Sequence, residues 1–189
     1  MHFAFNTDTI YRSEFVTILT INKTKENLIM NRRKTSFLTQ PAIIAALYVI
    51  FTLFSSMLGL DKGAVQFRIS EMLTVLPAFT PAAVPGLFIG CLLSNILGGC
   101  LPWDIFFGSI ATLLGALGTY ALRKWKWLAP FPPILSNALI VPPVIIAVYE
   151  IEMAYPLVLL GVLAGEVVCC GALGCVLMSI LKKYGKRIF

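Results

Sequence analysis

Residues 65–99 read VQFRISEMLTVLPAFTPAAVPGLFIGCLLSNILGG, and this stretch decides the fold of the chain. Its segments are apolar enough to lie in a bilayer, yet they carry Arg68, Glu71 and Asn95. Ionisable and amide groups are costly at membrane depth, so by default they line a site or form a buried pair. The stretch therefore predicts a membrane protein that holds polar groups inside the bilayer.

Prolines divide the same stretch into two short apolar segments. Pro77, Pro81 and Pro85 interrupt it, and both segments are shorter than the ~20 residues of a typical bilayer-spanning helix. Short or broken helices at membrane depth are tolerated only where protein buries them or where they line a cavity. We therefore expect both segments to be enclosed by other helices or to border a cavity.

The composition of the whole chain indicates an integral membrane protein. Apolar residues make up 58% and charged residues 13% of the 189 residues, and the mean hydropathy is +0.86. Soluble domains are about 45–50% apolar and about 25% charged. A chain of this length holds roughly six helices of ~20 residues plus short loops, which leaves no room for an appended soluble domain.

The net charge of +6 does not indicate nucleic-acid binding, because the basic residues cluster beside apolar spans and act as topology signals. We therefore expect no nucleic-acid partner. The sequence also contains no G-x-x-x-x-G-K-[ST] phosphate loop, so any nucleotide hydrolysis must come from other chains.

Six apolar spans predict an all-α integral membrane protein, specifically a six-transmembrane-helix bundle. The predicted spans are 40–58, 69–80, 82–98, 103–122, 132–149 and 155–181. Basic residues cluster at 32–34, 123–126 and 182–187, which places both termini in the cytoplasm by the positive-inside rule. Within the fifth span, Pro142 and Pro143 are expected to break the helix.

Residues 1–29 form an N-terminal extension that differs in composition from the apolar remainder of the chain. They are polar and mixed in charge, so they do not resemble a secretory signal peptide. The text from Met30 reads like a natural beginning, so we interpret 1–29 as the product of a misassigned start and 30–189 as the membrane domain. The alternative is an amphipathic surface helix around Tyr11 and Phe15.

Six polar residues in or directly beside the spans form the candidate ligand-binding site. They are Arg68, Glu71, Asn95, Asp104, Asn137 and Glu166. Glu166 lies about 11 residues into the sixth span, near the middle of a ~30 Å core, so we predict a pocket open to the outside with this carboxylate at its floor. Structural roles stay open, because Arg68 suits an ion pair with Glu71, three residues away, or with Glu166.

No metal, cofactor or catalytic residue is predicted. The five cysteines contain no C-x-x-C pair and lie in or beside apolar helices, where Cys packs as a small hydrophobe. The only histidine is His2, near the N-terminus, so a zinc site or a histidine-based hydrolase lacks its usual residue.

Small residues recur at the four-residue spacing that lets helices approach closely. Gly86 and Gly90 belong to one such stripe, which bundle packing explains. Ala42 and Ala46 form another on the first span, where Ala45 widens the patch. A smooth stripe on a peripheral helix is also suited to docking another membrane subunit.

Several separated blocks resemble the QueT family, in the same order along the chain. They are the stretch quoted above, DIFFGSIATLLGALGTYALR at 104–123, LAPFPPILSNALIVPPVI at 128–145 and GVLAGEVVCCGALG at 161–174. The resemblance covers residues 38–182. Members of this family are substrate-binding S components of energy-coupling-factor (ECF) transporters, assigned to the uptake of queuosine precursors.

The resemblance implies a binding subunit rather than an enzyme. It implies a 7-deazaguanine ligand, a multi-pass location in a bacterial cell membrane in contact with lipid, and ATP hydrolysis only in partner chains. The implied partners are one transmembrane coupling protein and two ATPase subunits. In S components an A-x-x-x-A patch on the first helix meets the coupling protein, and Ala42 and Ala46 have that spacing.

Two other functions stay open. One is a secondary transporter of a small polar solute, driven by protons through Glu166, and uptake that depends on a proton gradient rather than on ATP would reveal it. The other is an intramembrane enzyme that uses Glu71, Asp104 and Glu166 as acids or bases, which product formation by the purified protein would reveal.

Overall fold

The computed structural model describes residues 38–60, 66–149 and 153–184. From Gln40 onward these residues belong to one compact unit, Gln40–Phe189. The predicted extension 1–29 lies outside the described residues, as does the proposed start at Met30. The boundary between the two predicted regions therefore stays a prediction.

Every predicted span coincides with a helix. The helices are α1 (Leu38–Met57), a 3₁₀ helix (Ile69–Ala78), α2 (Ala83–Leu97), α3 (Pro102–Ala121), a short 3₁₀ helix (Lys126–Leu128), α4 (Phe131–Tyr149), α5 (Tyr155–Glu166), a π-helix (Val167–Leu173) and α6 (Gly174–Tyr184). The last three run on as one continuous apolar segment, Tyr155–Lys183. The described residues contain no β-strand.

Four helical segments are long and apolar enough to cross a membrane. They are Leu38–Met57, Pro102–Ala121, Lys126–Tyr149 and Tyr155–Lys183. The two remaining segments, Ile69–Ala78 and Ala83–Leu97, are apolar but shorter. An all-helical membrane protein is therefore confirmed, whereas six complete crossings and cytoplasmic termini stay predictions.

The first short segment, the 3₁₀ helix Ile69–Ala78, is almost completely enclosed by protein. Eight of its ten residues are buried, including Glu71 in its first turn. Its ten residues span roughly 20 Å at the 3₁₀ rise of about 2.0 Å per residue, less than the thickness of a bilayer core. This enclosure agrees with the rule that short helices at membrane depth need surrounding protein.

The prediction that prolines break the fifth span is wrong. Helix α4 continues from Phe131 to Tyr149 with Pro142 and Pro143 inside it. Each proline removes one N–H from the helix, but within a membrane bundle neighbouring helices and local adjustments can satisfy the freed carbonyl groups. Pro142 is buried against the rest of the protein, whereas Pro143 is exposed.

Glycines allow the helices to approach one another closely. A Cβ atom on Gly86 would lie 2.8 Å from the carbonyl oxygen of Pro41, and one on Gly90 would lie 2.8 Å from the Cβ of Tyr48. The predicted stripe on α2 therefore packs against α1. On α3, a Cβ at Gly115 would lie 2.7 Å from the Cα of Pro133, so α3 and α4 meet at this glycine.

We predict that Gly115→Ala destabilises the bundle, because the new methyl group meets the Pro133 main chain rather than a flexible side chain. The expected cost is about 1–3 kcal/mol, and thermal unfolding in detergent, followed by tryptophan fluorescence, measures it. Gly171→Ala is the control, because its Cβ would meet only the Val167 and Ile134 side chains, at 3.9 and 4.0 Å. Equal melting temperatures for both variants would contradict this packing.

Candidate functional site

A polar cleft lies between the 3₁₀ helix and helices α3, α4 and α5. Its empty volume is about 400 Å³, including the part open to solvent. Its lining consists of Gln66, Arg68, Glu71, Asp104, Gly108, Thr112, Asn137, Val141, Val162 and Glu166. Five of the six predicted site residues therefore meet at one cleft, and the sixth, Asn95, contacts one of them.

Arg68 enters the cleft from the residue that precedes the 3₁₀ helix. Its backbone is extended there, with φ −102° and ψ 100°. Its Nη1 donates a hydrogen bond to Oδ1 of Asn95 on α2 at 3.4 Å, and Asn95 Nδ2 lies 3.6 Å from Cys91 Sγ. Asn95 thus supports Arg68 instead of lining the cleft. Among the described residues, Arg68 forms no ion pair with Glu71 or Glu166.

Glu71 is held by helix α1. The hydroxyl group of Tyr48 donates to Oε1 of Glu71, and both side chains are buried, with exposed fractions of 0% and 2%. Two further bonds tie α1 to the same turn. Thr52 Oγ1 donates to Ser70 Oγ at 2.8 Å, and the Ile69 N–H donates to Ser55 Oγ at 3.0 Å. Glu71 therefore occupies a fixed position in the wall of the cleft.

Glu166 is held by helix α4. Asn137 Nδ2 donates to Oε1 of Glu166 at 2.7 Å, and both side chains are buried. Glu166 is the last residue of α5 and is followed directly by the π-helix Val167–Leu173. Single π-helical turns inside α-helices frequently occur at functional sites. The partner of this carboxylate is thus an amide, not the guanidinium of Arg68.

Asp104 joins two helix ends. It lies in the first turn of α3, and its Oδ2 accepts a hydrogen bond from the hydroxyl group of Tyr149 at 3.0 Å. Tyr149 is the last residue of α4, so this contact links the beginning of one long helix to the end of the next. Asp104 is buried despite its terminal position.

Two carboxylate oxygens in the cleft are left without a partner. Oε2 of Glu71 and Oε2 of Glu166 are both buried, and neither has a hydrogen-bond partner among the described residues. Buried polar atoms without partners are rare in native structures and call for an explanation. Because both oxygens belong to residues that line the cleft, they can accept hydrogen bonds from a bound solute.

A close main-chain contact adds a further wall to the cleft. The carbonyl group of Gln66 lies against Gly165, and any side chain at this glycine would collide with it. Gln66 itself lines the cleft. The glycine one residue before Glu166 thus lets the chain that leads to Arg68 pass directly over α5.

Sequence reasoning missed the tyrosines that contact the site and the lining residues Gln66 and Thr112. It did not identify Tyr48 or Tyr149, because tyrosine is ordinary both in apolar helices and at membrane interfaces. A usable signal existed in α1, where Tyr48, Thr52 and Ser55 follow one another at helical spacing and place hydroxyl groups on one face. Thr112 belongs to a stripe of small residues on α3 that predicts helix packing, and no comparable pattern marks Gln66.

The fold and this cleft define a multi-pass helical membrane protein with a buried polar site. The chain belongs to the QueT transporter family, whose model matches residues 38–183. It is 37% identical over 99 residues to the queuosine precursor transporter QueT of Lactococcus lactis subsp. cremoris. That alignment covers 51% of this chain and 57% of the relative, so it spans little more than half of either protein. No solved structure matches the chain.

We predict that Asn137→Leu destabilises the protein by about 1–3 kcal/mol, because it leaves a buried oxygen of Glu166 without its donor while filling a similar volume. Thermal unfolding measures the effect. Ser136→Ala is the control, since that hydroxyl group bonds only to the carbonyl oxygen of Pro133 in its own helix, at 3.1 Å. If both variants melt at the wild-type temperature, Asn137 does not stabilise buried Glu166.

Proposed function

We propose that this chain is the substrate-binding membrane subunit, the S component, of an ECF-type importer in a bacterial cell membrane. Its ligand is a queuosine precursor, a 7-deazaguanine base captured from outside the cell. The observation that carries the proposal is a pair of buried carboxylate oxygens in a polar cleft, one from Glu71 and one from Glu166, that find no partner in the described part of the chain. Membership of the QueT transporter family supports the same substrate class.

Glu166 matches the hydrogen-bonding edge of a guanine-like base. Such a base presents a ring N–H and an exocyclic NH₂ side by side, and an ionised carboxylate accepts from both. In Glu166 one oxygen already accepts from Asn137, which fixes the carboxylate and leaves Oε2 for the ligand. Each carboxylate oxygen has two acceptor sites, so Oε1 can also accept a second bond.

The remaining polar groups of the predicted site provide complementary contacts. Arg68, whose guanidinium group offers several donors, faces the same cleft and is supported by Asn95. A carbonyl oxygen of the base is a suitable acceptor for it.

The outer face of α1 supports a role for a protein partner. Ala42 and Ala46 are exposed, whereas Ala45 is buried against Gly90 of α2, so the prediction that Ala45 widens the patch is wrong. The A-x-x-x-A surface is therefore open to a neighbouring helix, and small residues permit close approach of the two backbones. We assign this surface to the transmembrane coupling protein, which links the chain to the two ATPase subunits.

The two alternatives predict different dependences of transport. A proton-driven carrier would accumulate solute in proteoliposomes that contain this chain alone, whereas an S component requires the ATPase-bearing partners. An intramembrane enzyme would convert its substrate, and membership of a transporter family argues against it. Uphill uptake by the lone chain would therefore overturn the importer proposal.

The test of the ligand site is Glu166→Gln. The amide places an NH₂ donor where the ligand also presents donors, so the affinity for 7-deazaguanine should fall by roughly 30-fold to 1000-fold in calorimetry. The loss should be smaller for 7-deazahypoxanthine, which lacks the exocyclic amine. Melting temperatures of the ligand-free proteins provide the control for folding. If affinity is unchanged in folded protein, Glu166 does not contact the ligand.

The test of the docking surface is Ala42→Leu and Ala46→Leu. Added bulk on this exposed face should weaken co-purification with the coupling protein and leave ligand affinity at the wild-type value. Ala147→Leu, at an exposed position on α4, is the matched control. Wild-type yields of the full complex from both α1 variants would show that the coupling protein docks elsewhere.

A further inference from the structure

The charged groups that line the cleft are held by uncharged partners from other elements. Tyr48 donates to Glu71, Asn137 donates to Glu166, and Tyr149 donates to Asp104. Of these three partners only Asn137 lines the cleft. Tyr48 and Tyr149 contact carboxylates that line it but do not line it themselves. Tyr48 is the most deeply placed, with none of its surface exposed.

Helix α1 presents one polar face to the turn that carries Glu71. Tyr48, Thr52 and Ser55 lie at intervals of four and three residues, so they share a face of the helix. Tyr48 donates to Glu71, and Thr52 donates to Ser70. Ser55 accepts from the main-chain N–H of Ile69. Of the three bonded residues on the 3₁₀ helix, only Glu71 lines the cleft.

We propose that Tyr48 is a positioning residue, which fixes Oε1 of Glu71 and thereby presents Oε2 to the ligand as an acceptor separate from Glu166. This inference rests on the proposed function, since the ligand is the solute captured in the cleft. A freely rotating carboxylate would exchange its two oxygens between the tyrosine and the cleft. The hydroxyl group of Tyr48 removes that freedom before the ligand arrives, which lowers the entropic cost of binding.

The Tyr48 contact engages Oε1 of Glu71 and leaves Oε2 buried without a partner among the described residues. Leaving a buried acceptor unpaired is unfavourable, and a ligand donor relieves that cost. Two acceptors, held by α1 through Tyr48 and by α4 through Asn137, favour a ligand with several N–H donors. A 7-deazaguanine base has this property, because it carries a ring N–H, an exocyclic amine and a pyrrole N–H.

The test is a double-mutant cycle with Tyr48→Phe and Glu71→Gln, with 7-deazaguanine as the calorimetric probe. Tyr48→Phe keeps the buried ring and removes only the hydroxyl group, so affinity should fall by roughly 5-fold to 50-fold. In the Glu71→Gln background the same change should alter affinity by less than about 2-fold, since the group it positions is gone. Equal losses in both backgrounds would show that Tyr48 does not act through Glu71.

Thr52→Val is the matched control. It removes a hydroxyl group from the same face of α1 and breaks the bond to Ser70, but neither residue lines the cleft. Its melting temperature should fall while its affinity stays within about 2-fold of wild type. If Tyr48→Phe behaves like Thr52→Val, with lower stability and unchanged affinity, Tyr48 has only a structural role and the proposal fails.

A ligand-free measurement separates this inference from the proposed function. In infrared difference spectra, the carboxylate band that disappears in Glu71→Gln should shift in Tyr48→Phe and not in Thr52→Val. If wild-type protein binds no 7-deazaguanine base, the proposed function fails while this shift still reports on the Tyr48 contact. An unshifted band overturns the contact itself.

Glu71→Gln covers the case in which Tyr48→Phe does not fold. Its side-chain oxygen still accepts from Tyr48, so the amide NH₂ turns toward the ligand in place of Oε2. Affinity should then fall with little change in melting temperature. Unchanged affinity in this folded variant would exclude Glu71 as an acceptor, and with it the role of Tyr48.

Discussion

The cost of burying a charge without a partner governs the arrangement of this protein. An ion pair is one solution, yet the described part of the cleft uses neutral donors instead: a tyrosine for Glu71, an asparagine for Glu166 and a second tyrosine for Asp104. A neutral donor stabilises a carboxylate without cancelling its charge. One oxygen of Glu71 and one of Glu166 therefore remain without a partner among the described residues, whereas an internal salt bridge would have engaged them.

The same constraint connects the fold to the site. Neutral donors act only at hydrogen-bond distance, so helices must approach closely enough to deliver them. Gly90 lets α2 pack directly on Tyr48, and Gly115 lets α3 pack on α4, the helix that carries Asn137. The 3₁₀ helix brings Glu71 into the interior and is enclosed on nearly every side. The small residues therefore bring the helices close enough for the polar residues to form their hydrogen bonds.

The sequence was a good guide to which polar residues meet at the cleft and a poor guide to how they pair. Among the described residues, apolar runs located every helix except the short 3₁₀ helix Lys126–Leu128. The cost of ionisable and amide groups in a bilayer selected five residues that line the cleft and one, Asn95, that supports Arg68. The partners depend on helix rotation and on approach distances, which a single sequence does not encode locally. Tyr48 is 23 positions from Glu71, and Asn137 is 29 from Glu166. The prediction that Pro142 and Pro143 break α4 was wrong, because neighbouring helices in a bundle can compensate for a missing N–H.

The π-helix after Glu166 places a constraint on chain length. Each residue of an α-helix turns the next side chain by about 100°, so a wider turn resets the faces on either side of it. Val167–Leu173 therefore fixes how the face that carries Glu166 is aligned with the face on which Met178 is buried. Removing one residue would rotate everything beyond it, whereas exchanging one side chain would not. The number of residues in this segment, rather than their identity, therefore sets the alignment of the two faces.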